Sequence, residues 1–165
     1  MEWMEDWGAV REKVLGVLPM LHIYGLALNY ALPLSIGAEM VLVPAPKPKL
    51  YQAAITKTRP TVLPGVPTLY DKIVEWAVET NADLSSIHTS VSGASTLPVE
   101  TIERWENATG GRLIEGYGLT ETAPILAGNP LDGTRRPGYI GLPFPNTEIR
   151  IADPCLLYTS DAADE

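Results

Sequence analysis

The chain has 165 residues, room for one domain with its own core, and 45% of them are hydrophobic, which excludes wholesale disorder. Twelve Lys and Arg stand against 20 Asp and Glu, a formal charge of −8 with no basic cluster, so nucleic acid is excluded as a partner. The one cysteine, Cys155, allows no internal disulfide, and without metal-type Cys/His spacing the chain reads as cytoplasmic.

The opening stretch MEWMEDWGAVREK is acidic where a secretory signal would be basic. From Val14 to Ala38 no Asp, Glu, Lys or Arg occurs, a length that would cross a bilayer. Pro19, Pro33, Gly16, Gly25 and Gly37 interrupt it, together with His22 and Asn29. It reads instead as a buried strand over 13–19 and a helix over 22–37. A strand follows over 38–44, a helix over 48–59 and a strand over 60–65. The helix over 67–80 starts on Pro67, suited to a first turn, and carries Leu69, Ile73, Trp76 and Ala77 on one face. Asp83 or Ser85 is placed to cap a turn before the strand over 87–93. The helix over 98–110 closes on Gly110 and Gly111 and leads to a strand over 112–116. After a loop rich in Gly and Pro, a last strand is expected over 147–153. Strands separated by helices of this length predict an α/β fold, a mostly parallel sheet with flanking helices.

Such sheets bind ligands outside the carboxyl ends of their strands. Three segments fall at such ends: PMLHIYG after the first strand, SGAST after the strand ending near Val91, and GYGLTE after the strand ending at Glu115. Each supplies small residues that let a ligand approach the backbone. In GYGLTE a dinucleotide fingerprint would need a third glycine where Glu121 stands, so the bare alternative is a structural turn. SGAST taken alone is also a glycine turn. His22, beside apolar residues, suits a core or capping position, and the proline and glycine of PGVPTLY are explained by backbone needs alone.

Taken in order, the motifs resemble an internal segment of the acyl-adenylate-forming superfamily, and within it the long-chain fatty-acid–CoA ligases. LPMLHIYG, PGVPTLY, SGASTLP, EGYGLTET and RPGYIGLPFPNTEIRIAD carry the resemblance, from about Val14 to Asp153. It implies an adenylate site made by Gly93, Ala94 and Ser95 and by Glu115, Gly116, Tyr117, Gly118, Leu119 and Thr120. Tyr117 would stack on adenine, Thr120 would face the α-phosphate, and Glu121 would offer an oxygen to Mg²⁺. His22, Tyr24 and Gly25 would border the acyl and thiol channel, with His22 orienting the carboxylate, and Val66, Pro67 and Thr68 would line the acyl pocket. The implied ligands are ATP or AMP, Mg²⁺, coenzyme A and a fatty acid. For the parent enzyme the resemblance leaves room for peripheral membrane contact and gives no oligomeric state.

The chain also departs from the family. Leu21 stands where Phe is frequent, and Ser95-Thr96 replaces Ala-Pro. The Gly/Ser/Thr-rich phosphate loop, the ribose-binding aspartate and the C-terminal lid with its lysine are absent. Residues 154–165 match no part of the family and read as a non-native tail. The chain is therefore expected to be a fragment, with 1–153 as a partial adenylation domain. Two alternatives stand beside the fatty-acid reading: an adenylation domain for another acid, aryl or carrier-loading, and a non-catalytic AMP- or acyl-binding module.

Overall fold

A computed structural model describes residues 12–132 and 134–152. Five parallel strands form the sheet's body: β1 (Lys13–Gly16), β2 (Glu39–Leu42), β3 (Val62–Gly65), β4 (Thr89–Ser92) and β5 (Arg112–Tyr117). Two short antiparallel strands, β6 (Ala127–Gly128) and β7 (Leu142–Pro143), extend it to the order β2-β1-β3-β4-β5-β6-β7. The order reverses at β1. One connection leaves to β2 and the next returns past β1 to β3, so β1 and β3 flank a switch point of the kind that opens a crevice at strand carboxyl ends. Pro64 in β3 has no N–H, and the β1–β3 ladder is confined to the Val14–Val62 register.

The expected helices form, with shifted ends. Residues 22–37 become α1 (Ile23–Leu26), a π-helical turn (Ala27–Ala31) and α2 (Leu32–Ile36). The ladder widens immediately before Pro33, which lacks the N–H an α-helix would use. Helices α3 (Pro48–Thr58) and α4 (Pro67–Thr80) each begin on a proline, and α5 (Val99–Thr109) ends on Gly110 at φ 72°. Asp83 does cap the turn before β4: its Oδ1 accepts the Ser85 N–H at 2.8 Å.

The core lies on the sheet face that α3–α5 cover. Leu15, Leu63 and Leu113 of the strands meet Tyr51, Ile55, Ile73 and Trp105. Trp105 is fully buried, packs edge-on to Tyr70 at 4.8 Å, and donates its indole N–H to Ser90 Oγ at 3.1 Å. Side chains alternate across a strand. Gly16, Val91 and Ile114 therefore face the other side, Gly16 toward Asn29 of the π-helical turn and Val91 and Ile114 toward the cavity described below.

The expected strand over 147–153 does not form over 147–152; Asp153 lies outside the described residues, as does the tail. β7 occupies the end of the sheet, and the Ile151 side chain is 82% exposed. An alternating apolar pattern makes no strand without a neighbour to bond. Among the described residues no helix is long and apolar enough to cross a membrane, and the uncharged 14–38 stretch resolves into strand and helix.

Candidate functional site

One cavity of about 480 Å³ opens where the carboxyl ends of β4 and β5 meet α1. Its floor is the sheet face, with Thr89, Val91, Ile114 and Gly116. The π-helical turn and α2 contribute Leu28 and Leu32 to the lining, the chain after β6 contributes Asn129 and Leu131, and Phe144 follows β7. The mouth carries Gly93 and Ala94 on one side and Tyr117 to Glu121 on the other.

Two glycines of the GYGLTE segment differ in kind. A Cβ on Gly118 would fall 1.7 Å from the Pro124 carbonyl, so only glycine lets the chain fold back there. A Cβ on Gly116 would make ordinary contact with Val91 at 3.5 Å, so its bareness instead widens the cavity. The next turn, Thr120–Thr122, is held by Thr122 Oγ1, which accepts the Leu119 N–H at 3.0 Å. This presents Thr120 and Glu121 to solvent at the cavity mouth.

Ala94 adopts φ 66°, a left-handed conformation seldom taken by a residue with a side chain. The turn that it shares with Gly93 is braced from beneath. The Tyr24 hydroxyl lies 2.7 Å from the Val91 carbonyl and 3.1 Å from that of Gly65, which joins the ends of β3 and β4. Tyr70 reaches the same Val91 carbonyl at 2.7 Å. A Cβ on Gly93 would sit 3.0 Å from the Tyr24 ring, so the two are in close packing. Burial pushes the Tyr24 phenol above its usual value, and it stays neutral at physiological pH.

His22 is both cap and lining residue. Its Nδ1 accepts the Tyr24 N–H at 3.1 Å at the start of α1, which leaves Nε2 as the donor nitrogen of the ring. Gly25 does not line the cavity but is needed beneath it, since a Cβ there would meet the Pro19 carbonyl at 2.3 Å. His88 lies outside the site, with Nε2 3.2 Å from Glu12.

The structure thus gathers His22, Tyr24, Gly93, Ala94, Gly116, Tyr117, Gly118, Leu119, Thr120 and Glu121 around one space. It does not bring the remaining expected residues there. Ser95 is exposed beyond the turn. Glu115 is buried on the α5 side, where its Oε1 accepts the Leu97 N–H at 3.3 Å, and burial raises its carboxyl above the usual range. Val66 caps α4 and packs on the core, Pro67 is buried in the first turn, and Thr68 is exposed. Leu21 is 96% exposed and forms no wall. Sequence reasoning missed Leu28, Thr89, Val91, Asn129, Leu131 and Phe144. The alternation of β4 could have flagged Thr89 and Val91, but the others arrive through short elements without a periodic signal.

Among the described residues no three His, Cys, Asp or Glu side chains gather for a metal ion. The single carboxylate at the mouth, Glu121, suits a hard cation that brings waters and substrate phosphates as its other ligands.

A parallel α/β sheet that gathers glycine turns at its strand carboxyl ends around one apolar cavity defines a small-molecule-binding domain. The chain belongs to the AMP-binding enzyme family, whose model matches residues 1–160. It is 42% identical to a long-chain-fatty-acid–CoA ligase of Bacillus subtilis over 151 residues, 90% of this chain and 27% of that protein. A mitochondrial malonate–CoA ligase of Xenopus laevis is 35% identical over 162 residues, 89% of this chain and 28% of that protein. Among solved structures, the anthranilate CoA ligase AuaEII in complex with anthranoyl-AMP superposes with a TM-score of 0.81 at 28% identity, over 92% of this chain and 29% of that one. The chain therefore spans about a quarter of the length of the curated relatives it matches.

Proposed function

We propose that this chain forms the acyl- and adenylate-binding part of an ATP-dependent acid–CoA ligase whose acid is a fatty acid, with residues 1–153 as part of the adenylation domain. The observation that carries the reading is the character of the cavity. It has about 480 Å³, walls mainly of aliphatic and aromatic side chains, and no Lys or Arg among its described lining residues. A space of this size and polarity takes a hydrocarbon body. A dicarboxylate such as malonate would bring a second charge with no counter-ion to meet it. The similarity to a fatty-acid ligase supports the same choice.

In the reaction the ionised carboxylate attacks the α-phosphate of ATP, and pyrophosphate leaves. The CoA thiol then attacks the acyl carbon of the acyl-AMP and AMP departs, giving the thioester. The first nucleophile already carries its charge, so no Ser-His-Asp arrangement is required, and the protein's work is orientation and charge stabilisation. Tyr117 offers its ring to adenine over the Gly93–Ala94 turn, Thr120 its hydroxyl to the α-phosphate, and Glu121 an oxygen to Mg²⁺. His22, whose Nε2 is left as donor by the cap at Nδ1, orients the acid's carboxylate.

ATP–pyrophosphate exchange by the protein that carries this chain tests the reading, with palmitate, benzoate, anthranilate and malonate compared at equal concentration. Palmitate is expected to give the highest kcat/KM. Preference for an aryl acid or malonate overturns the fatty-acid assignment. Exchange with no acid, alongside measurable AMP binding, leaves the non-catalytic binding module standing instead.

A further inference from the structure

Asn129 and Leu131, two of the residues lining the cavity, belong to the connection between β6 and β7, which has little regular structure, yet two polar side chains tie it down. Arg135, with 14% of its side chain exposed, places Nη1 and Nη2 on the two carboxylate oxygens of Glu106 in α5, at 2.6 and 2.7 Å. Nη1 also donates to the Leu113 carbonyl at 2.9 Å. Glu106 Oε1 in turn accepts the Leu113 N–H at 2.9 Å, and Arg112 adds a longer contact at 3.9 Å. The ion pair therefore grips β5 by both polar groups of one backbone unit. Asn129 completes the attachment. Its N–H donates to the Glu115 carbonyl at 3.0 Å, its Oδ1 accepts the Arg136 N–H at 2.9 Å, and its Nδ2 donates to the Tyr139 carbonyl at 2.5 Å.

We infer that the Arg135–Glu106 pair is a specificity-positioning latch: it fixes the Asn129–Leu131 side of the cavity, and thereby the discrimination among acids of different length. Neither Arg135 nor Glu106 lines the cavity. Both act through the loop they hold. The stretch from Thr134 to Ile140 is exposed apart from Arg135, so Arg135 is the side chain by which that stretch reaches inward. A bidentate guanidinium–carboxylate pair fixes direction as well as distance, which an ammonium cannot do. The nucleotide side of the mouth, Gly93–Ala94 and Thr120–Glu121, is held instead by Tyr24 and Thr122. The latch should therefore act on the acid and not on ATP.

The inference rests on the ligase reading. Its test is pyrophosphate exchange in the protein that carries this chain, with straight-chain acids from four to eighteen carbons, for the parent, Arg135→Lys and Glu106→Gln. Both variants are expected to raise KM for the best acid and to reduce the kcat/KM ratio between best and poorer acids roughly tenfold, the scale of losing a close fit to a few methylenes. KM for ATP should stay within about twofold. Should Arg135→Lys not fold, Glu106→Gln carries the same expectation, because it keeps an acceptor for the Leu113 N–H. A merely structural role would lower the melting midpoint and scale kcat equally for every acid. That result, or a KM for ATP that rises with the KM for acid, overturns the latch. A parent without exchange for any acid overturns the ligase reading, and the latch with it.

Discussion

At the scale of single residues, Glu115 and Glu121 stand six positions apart and meet opposite environments. Glu121 is exposed at the cavity mouth, while Glu115 is buried behind β5. Glu121→Gln keeps the shape of the side chain and removes its charge. In the proposed ligase it is expected to slow adenylation by about two to three orders of magnitude, the scale of one lost electrostatic stabiliser, and to leave metal-free AMP binding nearly unchanged. Pyrophosphate exchange measured beside an AMP titration checks both; unaffected exchange with collapsed AMP binding would make Glu121 a support for its turn. For Glu115 the expectation concerns stability. Burial raises its carboxyl above the ordinary 4.5, so the folded state holds the proton more tightly than the unfolded one. The stabilising contribution is then complete below pH 4.5 and is lost as pH rises through the folded value. Glu115→Gln retains an acceptor for the Leu97 N–H without the buried charge. It should raise the melting midpoint at pH 7 and flatten the midpoint's dependence on pH above 4.5. An unchanged profile in a thermal series would show that Glu115 contributes no such term. Asp83 and Asp132 work in the opposite sense. Hydrogen bonds from Ser85 and Thr134, respectively, hold their carboxyls below the usual range, so their contributions fade as the pH falls.

At the scale of elements, legibility followed the presence of a local signal. The strands β1, β2, β3 and β5 carry short apolar runs closed by Gly, Pro or a polar turn, β4 is bounded by turn residues, and each of α3 to α5 declares its start or stop: Pro48, Pro67, Gly110. Their type and order could be read because propensity, patterning and caps agree. The strands β6 and β7 could not, since two residues carry no periodicity and their pairing is decided by the loop that returns between them. The same limit explains the strand expected over 147–153: alternation in TEIRIAD states a preference for extended backbone but cannot supply the missing neighbour. Within the site, the motif residues at strand ends were legible because small residues there have few other uses. The brace from Tyr24 to the Gly65 and Val91 carbonyls was not, because it joins positions 41 and 67 residues apart. The direction of the Glu115 side chain was not legible for a related reason. It belongs to the GYGLTE neighbourhood in sequence, but alternation along β5 sends its side chain to the other face of the sheet.

At the scale of the whole molecule, the question is whether 165 residues suffice for turnover. A triphosphate carries several negative charges, and its transfer requires cationic donors at the departing pyrophosphate. The cavity offers none: no Lys or Arg appears among its described lining residues, and the chain's formal charge is −8. The sequence likewise lacks the glycine-rich loop and the lid lysine that the resemblance would lead one to expect. What is present, an apolar cavity and a small-residue turn, suits the acyl chain and adenine, the two parts of acyl-AMP that do not need charge compensation. The 165-residue chain alone is therefore expected to form no thioester above blank when given ATP, Mg²⁺, palmitate and CoA. The appropriate assay follows acyl-CoA by chromatography over hours at micromolar protein, with a full-length fatty-acid ligase as positive control. Turnover within the ordinary enzymatic range, about 1 to 10³ per second, would mean that the charge neutralisation comes from residues of this chain away from the cavity lining. It would also remove the case for assigning those steps to a longer protein.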